Sequence, residues 1–136
     1  MYKRQHVGLT PQHVNRFGGY RIQGRGPAAA RIRAGARAVV DAGAEMMVIE
    51  AVPEPLARDI AAASKALTIG IGASSACSGQ VLVLHDMLGV AAGKRPRFVK
   101  NFLEEAGGVE QAARAYLEQV QSGAFPTGEH VYPDSN

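Results

Sequence analysis

A single acidic residue at the end of an apolar run is the strongest chemical signal in the sequence. Glu50 follows Met46-Met47-Val48-Ile49 and precedes the turn Ala51-Val52-Pro53. In folds built from parallel strands and helices, the carboxyl ends of the strands face the active site. A carboxylate partly removed from water there can act as a general base. The alternative is a structural glutamate that pairs with an arginine of a neighbouring loop.

His6 occupies the corresponding place in an earlier, shorter run, just ahead of Gly8-Leu9-Thr10-Pro11-Gln12. A neutral imidazole there can donate a hydrogen bond to a carboxylate or carbonyl oxygen of a ligand. His6 is therefore a candidate substrate-binding residue. A histidine near a chain end is also commonly structural or exposed, and both interpretations stay open at this point.

The remaining metal-ligating side chains do not form a recognisable set. His13, His85 and His130 lack the spacing to a second histidine or carboxylate that a metal site requires. Cys77 is the only cysteine, so an internal disulfide and cysteine-based zinc or iron-sulfur sites are excluded.

Short apolar runs alternate with helical stretches, which is typical of parallel strands joined by crossover helices. Strands are predicted at 46–51, 67–73 and 80–84, with the stub of an earlier strand at 6–9. The predicted helices between them span 27–42 and 53–66. About four βα units result, whereas a complete barrel of this type needs about 250 residues. The sequence thus predicts either half a barrel or a small open sheet.

Two closing helices are predicted in the last third of the chain. Apolar residues between positions 109 and 120 recur at the three-and-four spacing of one helical face. A shorter apolar pattern at 98–106 predicts the first of the two helices, and Gly107-Gly108 separates it from the second.

Composition narrows the class of protein. The chain has 136 residues, 46% hydrophobic and 20% charged, which is typical of a globular domain with one core. No apolar run approaches the roughly 18 residues of a membrane span, and no signal peptide is recognisable, so a cytoplasmic location is expected.

Positive charge is concentrated before the first acidic residue, Asp41. Such a region could contact nucleic acid, an anionic ligand or an acidic neighbouring subunit. The basic residues have no aromatic residues interleaved among them and match no known nucleic-acid-binding motif, which argues against a nucleic-acid partner. They are Lys3, Arg4, Arg16, Arg21, Arg25, Arg31, Arg33 and Arg37.

Seven ordered segments together resemble ketopantoate hydroxymethyltransferases, and the likeness runs from His6 almost to the end. The segments are His6-Val7-Gly8-Leu9-Thr10-Pro11-Gln12, Phe17-Gly18-Gly19-Tyr20-Arg21-Ile22-Gln23-Gly24-Arg25, Val48-Ile49-Glu50-Ala51-Val52-Pro53, Ile69-Gly70-Ile71-Gly72-Ala73, Gly79-Gln80-Val81-Leu82-Val83-Leu84-His85-Asp86, Phe98-Val99-Lys100-Asn101-Phe102-Leu103 and Phe125-Pro126-Thr127-Gly128-Glu129-His130.

The resemblance implies an α/β fold, the C-terminal half of a (βα)8 TIM-type barrel, with about four parallel strands and outer helices. It also implies transfer of a hydroxymethyl group from methylenetetrahydrofolate to α-ketoisovalerate, giving ketopantoate for pantothenate and coenzyme A synthesis. Glu50 matches the family's catalytic base, and His6 matches a histidine that lines the keto-acid pocket. A magnesium ion chelated by the keto acid, a cytoplasmic location and a homo-oligomeric full-length protein are implied as well.

The departures from the family pattern concern the missing half. Residues 1–5 do not resemble the family's lead into the His6 strand, so a partial barrel domain is expected over 6–136. The metal-binding aspartates, a substrate-binding serine and a lysine match no segment here and are expected in the N-terminal half. The fragment is therefore expected to be inactive alone.

Two alternatives remain beside the transferase. Another barrel enzyme that uses a metal ion and an enolate on a small keto acid would keep Glu50 at a strand end but would not need Gly8-Leu9-Thr10-Pro11-Gln12. An inert half barrel with exposed apolar strand edges would associate with copies of itself.

Overall fold

Four parallel strands form one sheet in a computed structural model that describes residues 3–134. The strands are ordered along the sheet as they are along the chain, and each pairs in parallel with the next. This arrangement confirms the predicted α/β class and agrees with half of a βα-barrel. The strands are β1 at Arg4–Gly8, β2 at Met46–Glu50, β3 at Leu67–Ile71 and β4 at Gly79–Gln80.

Helices connect the first three strands and close the chain. The α-helices are α1 at Ala28–Asp41, α2 at Glu54–Ala63, α3 at Leu84–Met87 and α4 at Val109–Gln121. Short 3-10 helices lie at Pro11–His13 and Gly128–His130. Two proline residues open α2, where their missing N–H groups cost least.

The two faces of the sheet have different surroundings. Met47 and Ile49 of β2 are fully buried and pack with Ala36 of α1 and with Leu56 and Ile60 of α2. Side chains alternate between faces along a strand, so their neighbours on β2 lie on the opposite side and are only partly buried. Helices therefore cover one face, and the face that would line a barrel interior is open.

Positive φ angles end two strands earlier than predicted. Ala51 has φ 48°, which ends β2 at Glu50, and Gly72 has φ 59°, which ends β3 at Ile71. Such left-handed backbone does not continue a ladder. The first strand begins at Arg4 rather than residue 6, because Arg4 and Gln5 already pair with β2. The first two residues of the predicted start at 1–5 lie outside the described residues.

The strand predicted at 80–84 is mostly wrong. Only Gly79–Gln80 pairs with β3, and the chain then turns into α3. Val81, Val83 and Leu84 remain exposed instead of lying in a ladder. Within residues 3–134 the outer edges of β1 and β4 have no strand partner.

Two helix predictions also need correction. Helix α2 ends at Ala63 rather than 66, because the Ser64 hydroxyl accepts the Ala66 N–H and offers the backbone an alternative partner. Ala57 of this helix is buried with the sheet, whereas Ala63 at its end is exposed.

Residues 98–106 form turns instead of the first closing helix. The Phe102 N–H donates to the Met87 carbonyl, and the Asn101 side chain accepts the Leu103 N–H, so these groups have partners outside a helical ladder. The Phe102 ring is buried edge-on against Tyr116 of α4 and Phe125. One closing helix, α4, is therefore present rather than two.

No helix within residues 3–134 is both long and apolar enough to cross a lipid bilayer.

In the segment after α4, the turn at Thr127 is stabilised by a hydrogen bond that His130 accepts in its neutral form. His130 Nδ1 accepts the Thr127 N–H at 3.2 Å and lies 2.7 Å from the Thr127 hydroxyl. Burial lowers the pKa of this imidazole, Lys100 lowers it further, and Glu129 opposes both. A lowered pKa in the folded state means that the stabilisation is present above the ordinary value of about 6.5 and is lost as pH falls.

We therefore expect the free energy of unfolding to decrease between pH 7 and pH 5, measured by urea denaturation. His130→Gln should reduce this decrease, whereas His85→Gln, which changes an exposed histidine, should leave it intact. An identical pH dependence in the wild type and His130→Gln would contradict the assignment.

Candidate active site

Glu50 lies where the open face meets the carboxyl end of the sheet. It is the last residue of β2 and is in register with Gly8 of β1 and Ile71 of β3. Its side chain is 15% exposed, so it is largely removed from water while still reachable. This is the placement that the sequence predicts, and the role of general base stays a prediction.

His6 lies on the same face, one strand away. It is in register with Val48, which lies two residues before Glu50 on the same face of β2. The Nε2 atom of His6 is 3.0 Å from Oε2 of Glu50, and the side chain of His6 is 29% exposed. This buried Nε2 has no partner among the described residues with hydrogen-bond alignment. The two predicted site residues are therefore together on one face of the sheet.

The basic neighbour of Glu50 differs from the structural alternative. Within residues 3–134 the basic side chain within 4 Å of the Glu50 carboxylate is His6, not an arginine of a nearby loop.

The backbone around Glu50 is held by neighbours on both sides. The Glu50 carbonyl accepts the Leu9 N–H at 2.9 Å, and the Ala51 N–H donates to the Ile71 carbonyl at 2.9 Å. The Ala51 carbonyl accepts the Gln23 N–H at 2.8 Å. Hydrogen bonds from the segments after β1 and from β3 thus fix the turn that presents the carboxylate.

Gly8 permits this close approach. It has φ +90°, and a Cβ placed on it would lie 2.2 Å from the Glu50 carbonyl oxygen and 2.6 Å from a Val52 methyl carbon. Both distances are far below contact distance, so any larger residue must displace the backbone. Gly8 entered the prediction only as part of a motif, although a glycine at the end of a short strand was the available signal.

A buried polar network holds the loop after β3. Ser74 is fully buried, and its hydroxyl donates to Oε1 of Glu54 at 2.9 Å and accepts the Ala76 N–H at 3.1 Å. The Gln80 amide donates to the Ser74 carbonyl at 2.9 Å. Sequence reasoning missed this role, because nothing in a Ser/Gly-rich loop indicates which hydroxyl is buried.

Other candidate side chains stay apart from Glu50. The ring Nδ1 of His13 lies 2.9 Å from the Thr10 hydroxyl, and His130 caps the tail. Burial raises the pKa of the Cys77 thiol, which keeps it protonated and unreactive. No group of three or more His, Cys, Asp or Glu side chains is placed to hold a metal ion within residues 3–134.

Comparison with known proteins gives the family. Residues 4–128 match the family model described as ketopantoate hydroxymethyltransferase. This chain belongs to the ketopantoate hydroxymethyltransferase family. A 3-methyl-2-oxobutanoate hydroxymethyltransferase of Chromobacterium violaceum is 57% identical over 127 residues, covering 93% of this chain and 48% of that protein. One of the same name from Xanthomonas axonopodis pv. citri is 57% identical over 128 residues, covering 93% and 47%.

The matches cover only part of the length of these relatives. This chain spans about half the length of the curated relatives that it matches. The hydroxymethyltransferase family model covers the strand residues His6 and Glu50 and the turn between β2 and α2. The site described above therefore lies entirely within the matched region.

The contact at Gly8 can be tested directly. Gly8→Ala should lower the free energy of unfolding by about 2–4 kcal/mol, because it combines steric overlap with a φ that alanine rarely adopts. Gly107→Ala is the matched control, since no atom lies within 4 Å of its added Cβ. Urea denaturation measures both, and equal stabilities of the two variants would refute the close approach.

Proposed function

We propose that this chain supplies the general base of a ketopantoate hydroxymethyltransferase, which transfers a hydroxymethyl group from methylenetetrahydrofolate to α-ketoisovalerate in pantothenate biosynthesis. The relatives carry the name 3-methyl-2-oxobutanoate hydroxymethyltransferase, and this compound is α-ketoisovalerate. The observation that carries the proposal is the Glu50 carboxylate at the carboxyl end of the open face, with His6 Nε2 at 3.0 Å.

Glu50 performs the proton transfer in this proposal. Its carboxylate takes the proton from the carbon next to the ketone and becomes a carboxylic acid. The electron pair of that C–H bond forms the enolate. Water releases the one-carbon unit of the donor as formaldehyde and leaves tetrahydrofolate, the enolate carbon adds to the formaldehyde carbon, and the new alkoxide takes up a proton to become the hydroxymethyl group. Partial burial of Glu50 favours this step, because a proton acceptor surrounded by bulk water would be strongly solvated.

His6 binds and orients in this proposal. Its Nε2 is buried, lies beside the carboxylate and lacks an aligned partner among the described residues. It can donate a hydrogen bond to an oxygen of the keto acid, which holds the reacting carbon near Glu50. His6 is thus assigned to substrate binding, not to proton removal.

Magnesium and folate belong to the proposal through the resemblance. The described residues around Glu50 do not fit a magnesium site by themselves, because no carboxylate cluster accompanies it. We place the metal ligands in the half of the relatives that this chain does not match. The proton transfer above uses only side chains of this chain, and activity of the isolated chain is not expected.

The same proposal includes a cytoplasmic location, a homo-oligomeric longer protein and no nucleic-acid partner. A metal and enolate barrel acting on a different keto acid would use Glu50 in the same way. The keto acid named for the relatives favours the hydroxymethyltransferase over that alternative.

Hydrogen exchange tests the role of Glu50. The unmatched N-terminal segment of the Chromobacterium violaceum relative is fused ahead of His6, and exchange of the proton next to the ketone of α-ketoisovalerate into deuterated water is followed by NMR with magnesium present. We expect Glu50→Gln to slow exchange by about 10²- to 10⁴-fold. Glu118→Gln removes an exposed carboxylate on α4 and should exchange at the wild-type rate. Undiminished exchange in Glu50→Gln would remove that residue from the reaction.

A second variant separates binding from proton transfer. His6→Gln should raise the KM for α-ketoisovalerate in the exchange assay by about tenfold, the loss of one hydrogen bond to an anionic ligand. Its kcat should fall much less, and His85→Gln should change neither value. A kcat loss as large as that of Glu50→Gln, with KM unchanged, would mean that His6 takes part in proton removal.

A further inference from the structure

The C-terminal segment binds the start of α2 and has no part in the proton transfer described above. Residues 127–132, here called the tail strap, follow α4 and include the short 3-10 helix at Gly128–His130. The Tyr132 carbonyl accepts the N–H of Glu54, the first residue of α2, at 2.7 Å. The end of the chain is therefore bound to the helix that follows the Glu50 turn.

This hydrogen bond caps α2 in place of a side chain. The first N–H groups of a helix have no partner within the helix. Pro53 precedes α2 without a side-chain cap, and Pro55 has no N–H to be satisfied. The Glu54 N–H is thus a donor that α2 leaves unpaired, and its acceptor comes from the tail strap.

The turn after Glu50 needs support because its backbone is strained. Ala51 has φ 48°, a left-handed conformation that a residue other than glycine keeps only when its surroundings hold it. The Ala51 N–H donates to the Ile71 carbonyl, and its own carbonyl accepts the Gln23 N–H. These two hydrogen bonds hold the start of the turn, and the tail strap holds its end through Glu54.

The ring of Tyr132 connects the tail strap to the turn after β3. It packs edge-on against Phe98, with 6.4 Å between the ring centroids. The Phe98 ring in turn covers Gly72, where an added Cβ would lie 2.6 Å from a ring carbon. Gly72 directly follows β3, whose last carbonyl accepts the Ala51 N–H. Tyr132 thus links the turns that follow β2 and β3, one through its carbonyl and the other through its ring.

Arg97 anchors the tail strap, and Tyr132 stays uncharged. The Nε atom of Arg97 donates to the Glu129 carbonyl at 2.9 Å. Burial raises the pKa of the Tyr132 phenol, an effect that Arg97 and Arg25 oppose. The ordinary value is about 10, so the phenol is neutral near pH 7. The side chain of Tyr132 therefore acts by packing rather than by charge.

We propose that the tail strap is a positioning element for the Glu50 carboxylate, and that Tyr132 is the residue that makes both contacts. The strap holds the turns after β2 and β3, and these turns fix where Glu50 points. It acts through the backbone and does not touch the substrate. This role rests on the proposed function, because it concerns the geometry of the base. A displacement of about 1 Å at a catalytic group can cost roughly a hundredfold in rate.

Substrate proton exchange by the fusion with the relative's N-terminal segment tests this role. With α-ketoisovalerate and magnesium, Tyr132→Ala should lower kcat about tenfold and leave KM within about twofold, because the base is misplaced while the binding groups remain. Tyr132→Phe should keep the wild-type kcat, since it retains both the ring and the carbonyl.

A pair of shortened chains provides the matched control. A chain that ends after Pro126 lacks the tail strap and should lose at least as much kcat as Tyr132→Ala. A chain that ends after Pro133 keeps the strap and should exchange the substrate proton at the wild-type rate. The comparison separates the strap from the residues that follow it.

Amide hydrogen exchange, followed by mass spectrometry of peptides, separates positioning from a loss of folding. In the fusion that ends after Pro126, the peptide that contains the Glu54 N–H should lose protection. The peptide that contains the Leu9 N–H, which is bound to the Glu50 carbonyl, should keep its protection. Equal loss in both peptides would mean that the strap only stabilises the fold, and would overturn the positioning role.

The kinetic outcomes decide the rest. A wild-type kcat in the chain that ends after Pro126, or an equal loss in the chain that ends after Pro133, overturns the positioning role. So does a raised KM with unchanged kcat, which would assign the strap to substrate binding. Tyr132→Phe as slow as Tyr132→Ala would mean that the hydroxyl is required, which contradicts positioning by packing.

Failure of the strap and failure of the proposed reaction are distinguishable. Wild-type exchange in the strap variants, together with slow exchange in Glu50→Gln, refutes only the strap. Wild-type exchange in Glu50→Gln refutes the proposed reaction, whatever the strap variants do.

Discussion

The close approach of the backbones at the ends of β1 and β2 positions the candidate site. Gly8 leaves room for the Glu50 carbonyl, which accepts the Leu9 N–H, and the Ala51 N–H is bound by the neighbouring strand β3. Within residues 3–134 the basic side chain within 4 Å of the Glu50 carboxylate is the partly exposed His6, so the carboxylate is not fixed by a dense set of partners. The location of the carboxylate is consequently set by main-chain hydrogen bonds, which tolerate little displacement.

The same strand builds both the core and the site. Met47 and Ile49 are completely buried beneath the helices, while Val48 and Glu50 face the open side. Because side chains alternate, a slip of one residue in the pairing would put Glu50 under the helices and expose Ile49. The burial of Met47 and Ile49 therefore selects the register that presents Glu50 on the open face. Core packing and the position of the candidate base thus depend on the same five-residue strand.

The parts that the sequence predicted well are those governed by local patterns. The buried strand predicted at 46–51, which ends one residue earlier, the parallel pairing of the strands and the helix over positions 109–120 follow from apolar spacing and strand length. Residues 98–106 show a helical pattern but form turns, since Phe102 packs against two other rings and Asn101 binds the backbone locally. Packing against distant rings and local hydrogen bonds from side chains both compete with the helix, and neither leaves a periodic pattern in the sequence. The role of Ser74 was missed for the same reason.

The open face connects the stability of the chain with its chemistry. Val48 and Ile69 are only partly buried there, and Val81, Val83 and Leu84 are exposed beyond the short edge strand β4. Apolar surface of this kind favours association with whatever completes the sheet. Glu50 projects from the same face, and the metal ligands that the proposed reaction needs are absent from residues 3–134. A segment that closes the barrel would therefore cover the apolar side chains and, at the same time, place its own metal-binding groups near Glu50. Self-association of the isolated chain would cover the same surface without supplying those groups.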